Sequence, residues 1–241
     1  MSFIDRQSRA SSSSTHYSYD EGLRKHLCSV YNYMGMALAV TGVTSMFVAS
    51  SQTLLHLFLG TPLQWVIMFA PLIMVFVFAA KINSMSFSAA RTVFFVFSAV
   101  MGISLAPIFI IYTGQSIAKV FFISASLFGS MAIYGNTTKK DLTSMGSFLM
   151  MGVIGLIIAS VVNLFMNSSA LSFAISGIGV VIFVGMTAYD AQKIKDSFYQ
   201  NSSNGEEALA KSGLMGALTL YFDFINIFIY LLRLLGDQRD R

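Results

Sequence analysis

The chain alternates between long apolar runs and short polar segments. Seven runs of 16 to 25 residues have about the length that a helix needs to cross the hydrocarbon core of a bilayer. They cover Val30–Ala49, Pro62–Ala80, Thr92–Tyr112, Lys119–Tyr134, Leu142–Met166, Leu171–Tyr189 and Leu214–Leu235. The pattern therefore predicts an all-α polytopic membrane protein with seven transmembrane helices.

The polar segments predict how the chain is divided. Met1–Gly22 contains the run Ser11–Ser14 and lacks the apolar core of a signal peptide, so a disordered tail is expected over residues 1–24. The membrane domain is predicted over 25–236, with a C-terminal tail over 237–241. Ser50–Thr61 is predicted to be a short loop, and Ser197–Gly213 the longest internal polar linker.

Two prolines lie in positions that disturb helices. Pro71 is inside the second run, where it predicts a kink, and Pro107 is near the end of the third, where it predicts a kink or a break.

The last run carries a polar stripe through an apolar segment. Its polar residues are spaced 4, 3, 4 and 3 apart, which places them on one helix face: Thr219, Asp223, Asn226, Tyr230 and Arg233. A carboxylate in the middle of a span costs roughly 2.5–3.5 kcal/mol and usually faces a protein interior or a water-filled path. The stripe therefore predicts a central last helix, wrapped by the other six.

The sixth run has a matching small and polar face. Its members are Ser172, Ser176, Gly179, Thr187 and Asp190. We expect the two polar faces to meet, because the linker returns the chain from the same side. Asp190 and Asp223 are the only acidic residues in hydrophobic helical surroundings.

Two carboxylates in a partly dry site do not readily ionise together, and one hypothesis is that Asp190 and Asp223 share a proton. A second is that each is paired separately, Asp190 with Lys193 and Asp223 with Asn226 or a serine. A third is a proton- or ion-coupled transporter site. Two carboxylates with amide oxygens suit Ca²⁺ only weakly, and no cofactor is expected.

Composition and charge exclude several classes of function. The chain is 55% hydrophobic and 11% charged, which is not the profile of a soluble domain. Its single cysteine, Cys28, excludes an intramolecular disulfide and a cysteine zinc site. The net charge of +4 comes from basic residues that mostly flank the spans, so no nucleic-acid partner is expected.

The basic residues also predict an orientation. With the N-terminus in the cytoplasm, 11 of the 15 Lys and Arg residues lie in inside segments, and only Lys119 lies in an outside loop. A full seventh span places the basic C-terminal end outside, which a re-entrant last segment would avoid. Seven full spans are expected, because 22 residues suffice and Asp237 and Asp240 offset the basic tail.

No enzyme is expected. The three histidines, His16, His26 and His56, lie outside the predicted spans, which excludes an intramembrane zinc hydrolase or a serine protease with a histidine base. An intramembrane aspartyl protease is the remaining enzyme alternative. Asp190 follows a tyrosine, as in the YD motif of that class, but Asp223 stands in YFDF and not in GxGD.

Four segments resemble the Bax inhibitor-1 family, also called the transmembrane BAX-inhibitor-motif family. They are GISLAPIFIIYTG at 102–114, YGNTTKKDLTSMGSF at 134–148, GMTAYDAQKIK at 185–195 and LYFDFINIFIYLLRLLG at 220–236. The resemblance implies a seven-helix bundle with a central last helix. It also implies that Asp190 and Asp223 correspond to the family's di-aspartyl pair, a pH-sensing gate for calcium leak. A basic latch near the end of the second helix is implied as well, with Lys81 or Arg91 as candidates. The acidic groups that the family carries on the second helix are missing here.

These observations favour a pH-gated Ca²⁺ leak channel whose partners are the lipid bilayer, Ca²⁺ and protons. The alternative is a membrane scaffold that modulates protein quality control or stress (cell-death) survival by binding other membrane proteins. The short loops favour a bacterial inner membrane, with the endoplasmic reticulum or Golgi as the alternative. The sequence predicts no particular oligomeric state.

Overall fold

The computed structural model describes residues 3–202 and 205–239, with side chains from residue 21 onward apart from residue 59. The described chain is almost entirely helical. Its helices are α1 (Phe3–Ser50), α2 (Gln52–Leu59), α3 (Leu63–Lys81), α4 (Phe87–Leu105), α5 (Pro107–Ile111), α6 (Gly114–Thr137), α7 (Thr143–Met166), α8 (Ser169–Asn201) and α9 (Glu206–Leu235).

Seven helical stretches in the described ranges are long and apolar enough to cross a membrane, which confirms the predicted number. They are Glu21–Ser50, Leu63–Lys81, Phe87–Ile111, Gly114–Thr137, Thr143–Met166, Ser169–Asn201 and Glu206–Leu235. The third of these combines α4 and α5.

The last helix is the centre of the bundle, as predicted. In the most apolar part of α9, 67% of the residues are buried, compared with 11–33% in the other spans. It packs against α8 most extensively and also against α1, α6 and α4. The main contacts of α7 are with α8, and α3 packs on α4 and α2. α1, α4, α6 and α8 thus pack around α9, and α3 and α7 lie further out.

Several helix ends differ from the prediction. The predicted loop Ser50–Thr61 contains α2, and the side chain of Ser51 caps it by accepting a hydrogen bond from the Leu54 backbone N–H at 3.4 Å. The predicted linker Ser197–Gly213 is mostly helical, because α8 runs to Asn201 and α9 begins at Glu206. Residues 206–211 are strong helix formers, and acidic residues in a first turn favour a helix start. The apolar pattern therefore predicts the extent of the membrane-spanning part of a helix but not the residue at which the helix ends.

The first helix also extends beyond its apolar run. The backbone is helical from Phe3, whereas the sequence predicts a disordered tail over residues 1–24. Adding residues to an existing helix costs less than nucleating a new one, so a long apolar helix favours continuation into a polar segment.

The two prolines affect their helices differently. Pro107 separates α4 from α5, which confirms the predicted break: Leu105 ends one helix and Pro107 begins the next. Pro71 is buried inside α3, which continues through it as a single helix.

The contacts of α9 show which ends of the helices lie together. At its start, the Glu207 carboxylate accepts a hydrogen bond from the Phe87 backbone N–H, at the beginning of α4. At its end, the Asp237 backbone N–H donates to the Ser116 hydroxyl at 2.9 Å, near the start of α6. The helix therefore runs from one end of the bundle to the other, and a re-entrant last segment is excluded. We call the end that contains the α3–α4 loop and the α8–α9 turn the basic end.

Near the basic end, α6 and α8 touch backbone to backbone. A Cβ atom added at Gly135 would overlap the carbonyl group of Ala188 on α8. Glycine therefore permits this contact because it has no side chain. Beside it, Asn136 donates to the Tyr31 hydroxyl at 2.8 Å, and the Lys195 ammonium donates to the Asn136 carbonyl at 3.1 Å.

We predict that Gly135→Ala destabilises the folded bundle by roughly 1–3 kcal/mol, because the new methyl group forces α6 away from α8. The loss of stability can be measured by heating the detergent-solubilised protein and recording, by size-exclusion chromatography, the fraction that stays monodisperse at each temperature. Gly129→Ala is the matched control on α6, since a Cβ there meets nothing within 4 Å. Equal stability of the two variants would contradict the close contact.

Candidate functional site

The two aspartates singled out by the sequence meet inside the bundle. Asp190 on α8 is 4% exposed and Asp223 on α9 is 3% exposed. Their carboxyl groups are within hydrogen-bonding reach of each other. The Oδ2 atom of each is buried without a hydrogen-bond partner among the described residues. A carboxylate only accepts hydrogen bonds, so a bond between these two groups requires a proton on one of them.

Small residues allow α8 and α9 to come this close. A Cβ at Gly179 would lie 2.7 Å from the ring of Tyr230, and one at Gly216 would lie 2.9 Å from Ile194. These glycines approach the facing helix on either side of the carboxyl pair, one toward each end of the bundle. The side chains of Tyr230 and Ile194 fill the space left by the missing methyl groups, and this packing fixes the separation of the helices.

The other members of the two polar stripes hydrogen-bond mostly within their own helices. The hydroxyl of Thr187, which is fully buried, donates to the Phe183 carbonyl at 2.8 Å. The Asn226 amide donates to the Phe222 carbonyl at 2.8 Å, so it does not serve as the partner of Asp223. These contacts satisfy the polar groups locally.

At the far end of the α9 stripe, aromatic contacts replace hydrogen bonds. The ring of Tyr230 stacks on Phe183 with ring centroids 5.9 Å apart. The guanidinium of Arg233 lies over the Tyr230 ring, 5.9 Å from its centroid. This part of the stripe packs α9 on α8 and does not reach the carboxyl pair.

The candidate latch residues lie away from the pair. Lys81 and Arg91 are exposed at the end of α3 and the start of α4, and neither forms an ion pair with a carboxylate in the described ranges. The cation that acts electrostatically on Asp190 is Lys193, one turn further along α8. In this structure Lys193 therefore stands closer to the candidate gate than either predicted latch.

A cavity of about 230 Å³ leads to Asp190 from the basic end. It lies between α8 and α9, and Thr219 is at its inner part. The Ser212 hydroxyl donates to the Ser197 hydroxyl across it at 3.3 Å. The lining residues are Asp190, Lys193, Ile194, Ser197, Ser212, Met215, Gly216 and Thr219.

A second polar cluster was not found from the sequence. The hydroxyl of Tyr221, which is fully buried two residues before Asp223, lies 2.7 Å from the Thr41 hydroxyl on α1. Thr41 also donates to the Ser98 carbonyl on α4 at 2.9 Å, and Ser45 donates to the Gly102 carbonyl at 2.6 Å. The available signal was the spacing of four between Thr41 and Ser45, which places both on one face of an apolar helix.

Asp141 is an exposed acid, and its surroundings differ from those of the buried pair Asp190 and Asp223. Asp141, in the loop before α7, accepts a hydrogen bond from the Thr143 backbone N–H at 2.8 Å. Hydrogen bonds from the side chain and backbone of Thr143 hold the pKa of Asp141 below its ordinary value, so this carboxylate is ionised at neutral pH.

The arrangement is suited to holding a proton or a cation. Within the described ranges, no group of three or more His, Cys, Asp or Glu side chains is placed to bind a metal ion. A divalent cation at the pair would have two carboxyl groups as its acidic ligands, which suits a transported ion better than a tightly held one.

Comparison with known proteins places the chain in a family. The sequence model described as inhibitor of apoptosis-promoting Bax1 matches residues 23–240. The chain is 47% identical to RP147 of Rickettsia prowazekii over 98% of this chain and all of that protein. It is 40% identical to inner membrane protein YbhL of Escherichia coli K12, over 90% of this chain and 94% of the relative. A protein of Caulobacter vibrioides is also 40% identical, with 92% of each chain covered. The chain is therefore an integral membrane protein that belongs to the Bax inhibitor-1 family.

Proposed function

We propose that this protein is a pH-gated Ca²⁺ leak channel in which Asp190 and Asp223 form the gate. The observation that carries the proposal is the contact between two buried carboxyl groups on neighbouring helices, next to a polar cavity. We also propose that the basic end faces the cytoplasm, from the distribution of Lys and Arg, and that the membrane is a bacterial inner membrane. The name of the Escherichia coli relative supports this location.

The proposed gate depends on one proton. While the carboxyl groups share it, a hydrogen bond joins α8 to α9 and the pair carries a single negative charge. When the proton leaves, two anions face each other in a site with little water to screen them, and they repel. The helices then separate, and the two carboxylates become ligands for a divalent cation.

The first prediction concerns stability as a function of pH. In the native protein we expect the free energy of unfolding to fall by roughly 1–3 kcal/mol as pH rises and the shared proton is lost. In Asp190→Asn or Asp223→Asn the amide donates to the remaining carboxylate without needing that proton, so the decrease should be much smaller. Thermal unfolding in detergent between about pH 5 and pH 9 measures both curves.

The matched control for stability is Asp196→Asn, an exposed aspartate on the same helix as Asp190. It should keep the pH dependence of the native protein. If the two buried-site variants lose stability with pH as steeply as the native protein does, the shared proton is contradicted.

The second prediction concerns Ca²⁺ flux. In liposomes loaded with a calcium indicator, flux through the native protein should increase several-fold between about pH 6 and pH 8, because deprotonation opens the gate. Asp190→Asn and Asp223→Asn should make the flux independent of pH, since neither variant has a proton to share between two carboxyl groups.

Asp141→Asn is the control for flux, because Asp141 is exposed and already ionised over this range. It should retain the native pH profile. No flux above that of empty liposomes, from protein that is folded and inserted, would overturn the channel and favour a membrane scaffold instead.

A further inference from the structure

The cavity beside Asp190 adjoins a larger one at the basic end. The outer cavity has a volume of about 530 Å³ and lies between the α3–α4 loop, the end of α8 and the first turns of α9. Ser212 and Met215 line both cavities, so the two are neighbours on one route. The route runs from Asn83 and Glu207 at the surface, past Ser212, to Asp190.

An ion pair stands at the outer cavity. The Lys211 ammonium lies 3.1 Å from the Glu207 carboxylate, one helical turn away on α9. The side chain of Lys211 is 15% exposed and that of Glu207 is 61% exposed, so the cation is the deeper partner. Glu207 is held in place from a second side, because it accepts a hydrogen bond from the Phe87 backbone N–H at 3.3 Å.

We infer that these cavities form the aqueous entrance to Asp190 and that the Glu207–Lys211 ion pair decides the charge of the solutes that pass. The inference deepens the proposed function, because it names the route and the selectivity of the same site. It stands on the two cavities, the buried carboxyl of Asp190 that lines the inner one, and the charged groups along the route.

The charges along the route balance. A carboxyl pair with one shared proton carries one negative charge and Glu207 carries another, while Lys193 and Lys211 are positive. Loss of the Lys211 charge leaves the entrance negative, which attracts cations. Loss of the Glu207 charge leaves it positive, which attracts anions and repels divalent cations. A unit charge about 8 Å from a water-filled route, at an effective dielectric constant near 80, changes the local concentration of a monovalent ion about twofold to threefold. The change has opposite signs for a cation and an anion, so their ratio shifts about fivefold.

A separate cavity on another side of α9 offers a control. It has a volume of about 510 Å³, is lined by Lys25, His26 and Glu206, and contains neither aspartate of the pair. Glu206 and Glu207 are adjacent in the first turn of α9 but line different cavities. Glu206→Gln therefore removes the same charge from the same turn without changing the proposed entrance.

The test measures access without measuring flux. Thr219→Cys is placed in a Cys28→Ser background, which removes the single native cysteine, and the full-length protein is reconstituted in liposomes. The new thiol lies at the inner cavity. It is reacted with two small thiosulfonate reagents of similar size, one cationic and one anionic. The rate with the cationic reagent is divided by the rate with the anionic reagent to give a cation-to-anion ratio. This ratio is then divided by the same ratio for a free thiol in solution, which removes the intrinsic difference in reactivity between the reagents.

We expect Lys211→Gln to raise the cation-to-anion ratio and Glu207→Gln to lower it, each by about threefold to tenfold. Glu206→Gln should leave the ratio unchanged. Val181→Cys is the control for accessibility, because this side chain is 70% exposed on the lipid-facing surface of α8 and should react with neither reagent. If Thr219→Cys does not fold, Ser212→Cys reports on the same route.

Two results would overturn the inference. One is a ratio that is the same in the Lys211→Gln, Glu207→Gln and Glu206→Gln proteins. The other is a folded protein in which neither Thr219→Cys nor Ser212→Cys reacts. Because labelling requires no conduction, altered ratios without Ca²⁺ flux would support the entrance and contradict the leak channel, so the two proposals fail separately.

Discussion

The structure depends on the burial of a carboxyl group in the centre of an apolar bundle. Asp223 lies on the most buried helix, where an unpaired charge would be costly. The group that faces it is Asp190, the buried carboxyl of α8. This contact requires α8 and α9 to be close along their length, and Gly179 and Gly216 provide the space for it. The most extensive helix contact in the bundle is therefore also the one that its most costly polar group requires.

The central helix links this pair to the rest of the bundle. Tyr221, two residues before Asp223, hydrogen-bonds to Thr41 and packs edge-on against Phe97. One residue after Asp223, Phe224 packs against Phe121 and Phe128 on α6. A shift of α9 at the carboxyl pair would disturb its contacts with α1, α4 and α6 together. α3 and α7, which pack mainly on α4 and α8, lie outside this set of contacts.

The apolar pattern predicted the spans, because crossing a bilayer requires a minimum apolar length that is visible in the sequence. The stripe through Asp223 predicted the central helix, although α9 is less apolar (mean hydropathy 1.7) than α3, α4 and α7 (2.3–2.4), which face lipid more. Helix ends were missed, because residues 197–201 and 206–213 form helix outside the apolar runs. The position of Lys81 and the bond between Tyr221 and Thr41 depend on how helices far apart in sequence are rotated against each other, which a periodic pattern does not specify.

The two sides of the carboxyl pair differ in chemistry. Toward the basic end, the hydroxyls of Ser197 and Ser212 and the side chains of Lys193 and Lys211 line the way to Asp190. Toward the other end, a cavity of about 460 Å³ is lined mostly by apolar residues, among them Phe121, Phe224 and Phe228, and also by Thr41 and Ser45. There the segment after α9 is fixed to the start of α6, since the Thr113 backbone N–H donates to the Asp237 carbonyl at 3.1 Å. Under the proposed function this arrangement is a closed state. Breaking the carboxyl contact alone would admit an ion only as far as an apolar region, so conduction also requires α9 to move the rings of Phe224 and Phe228.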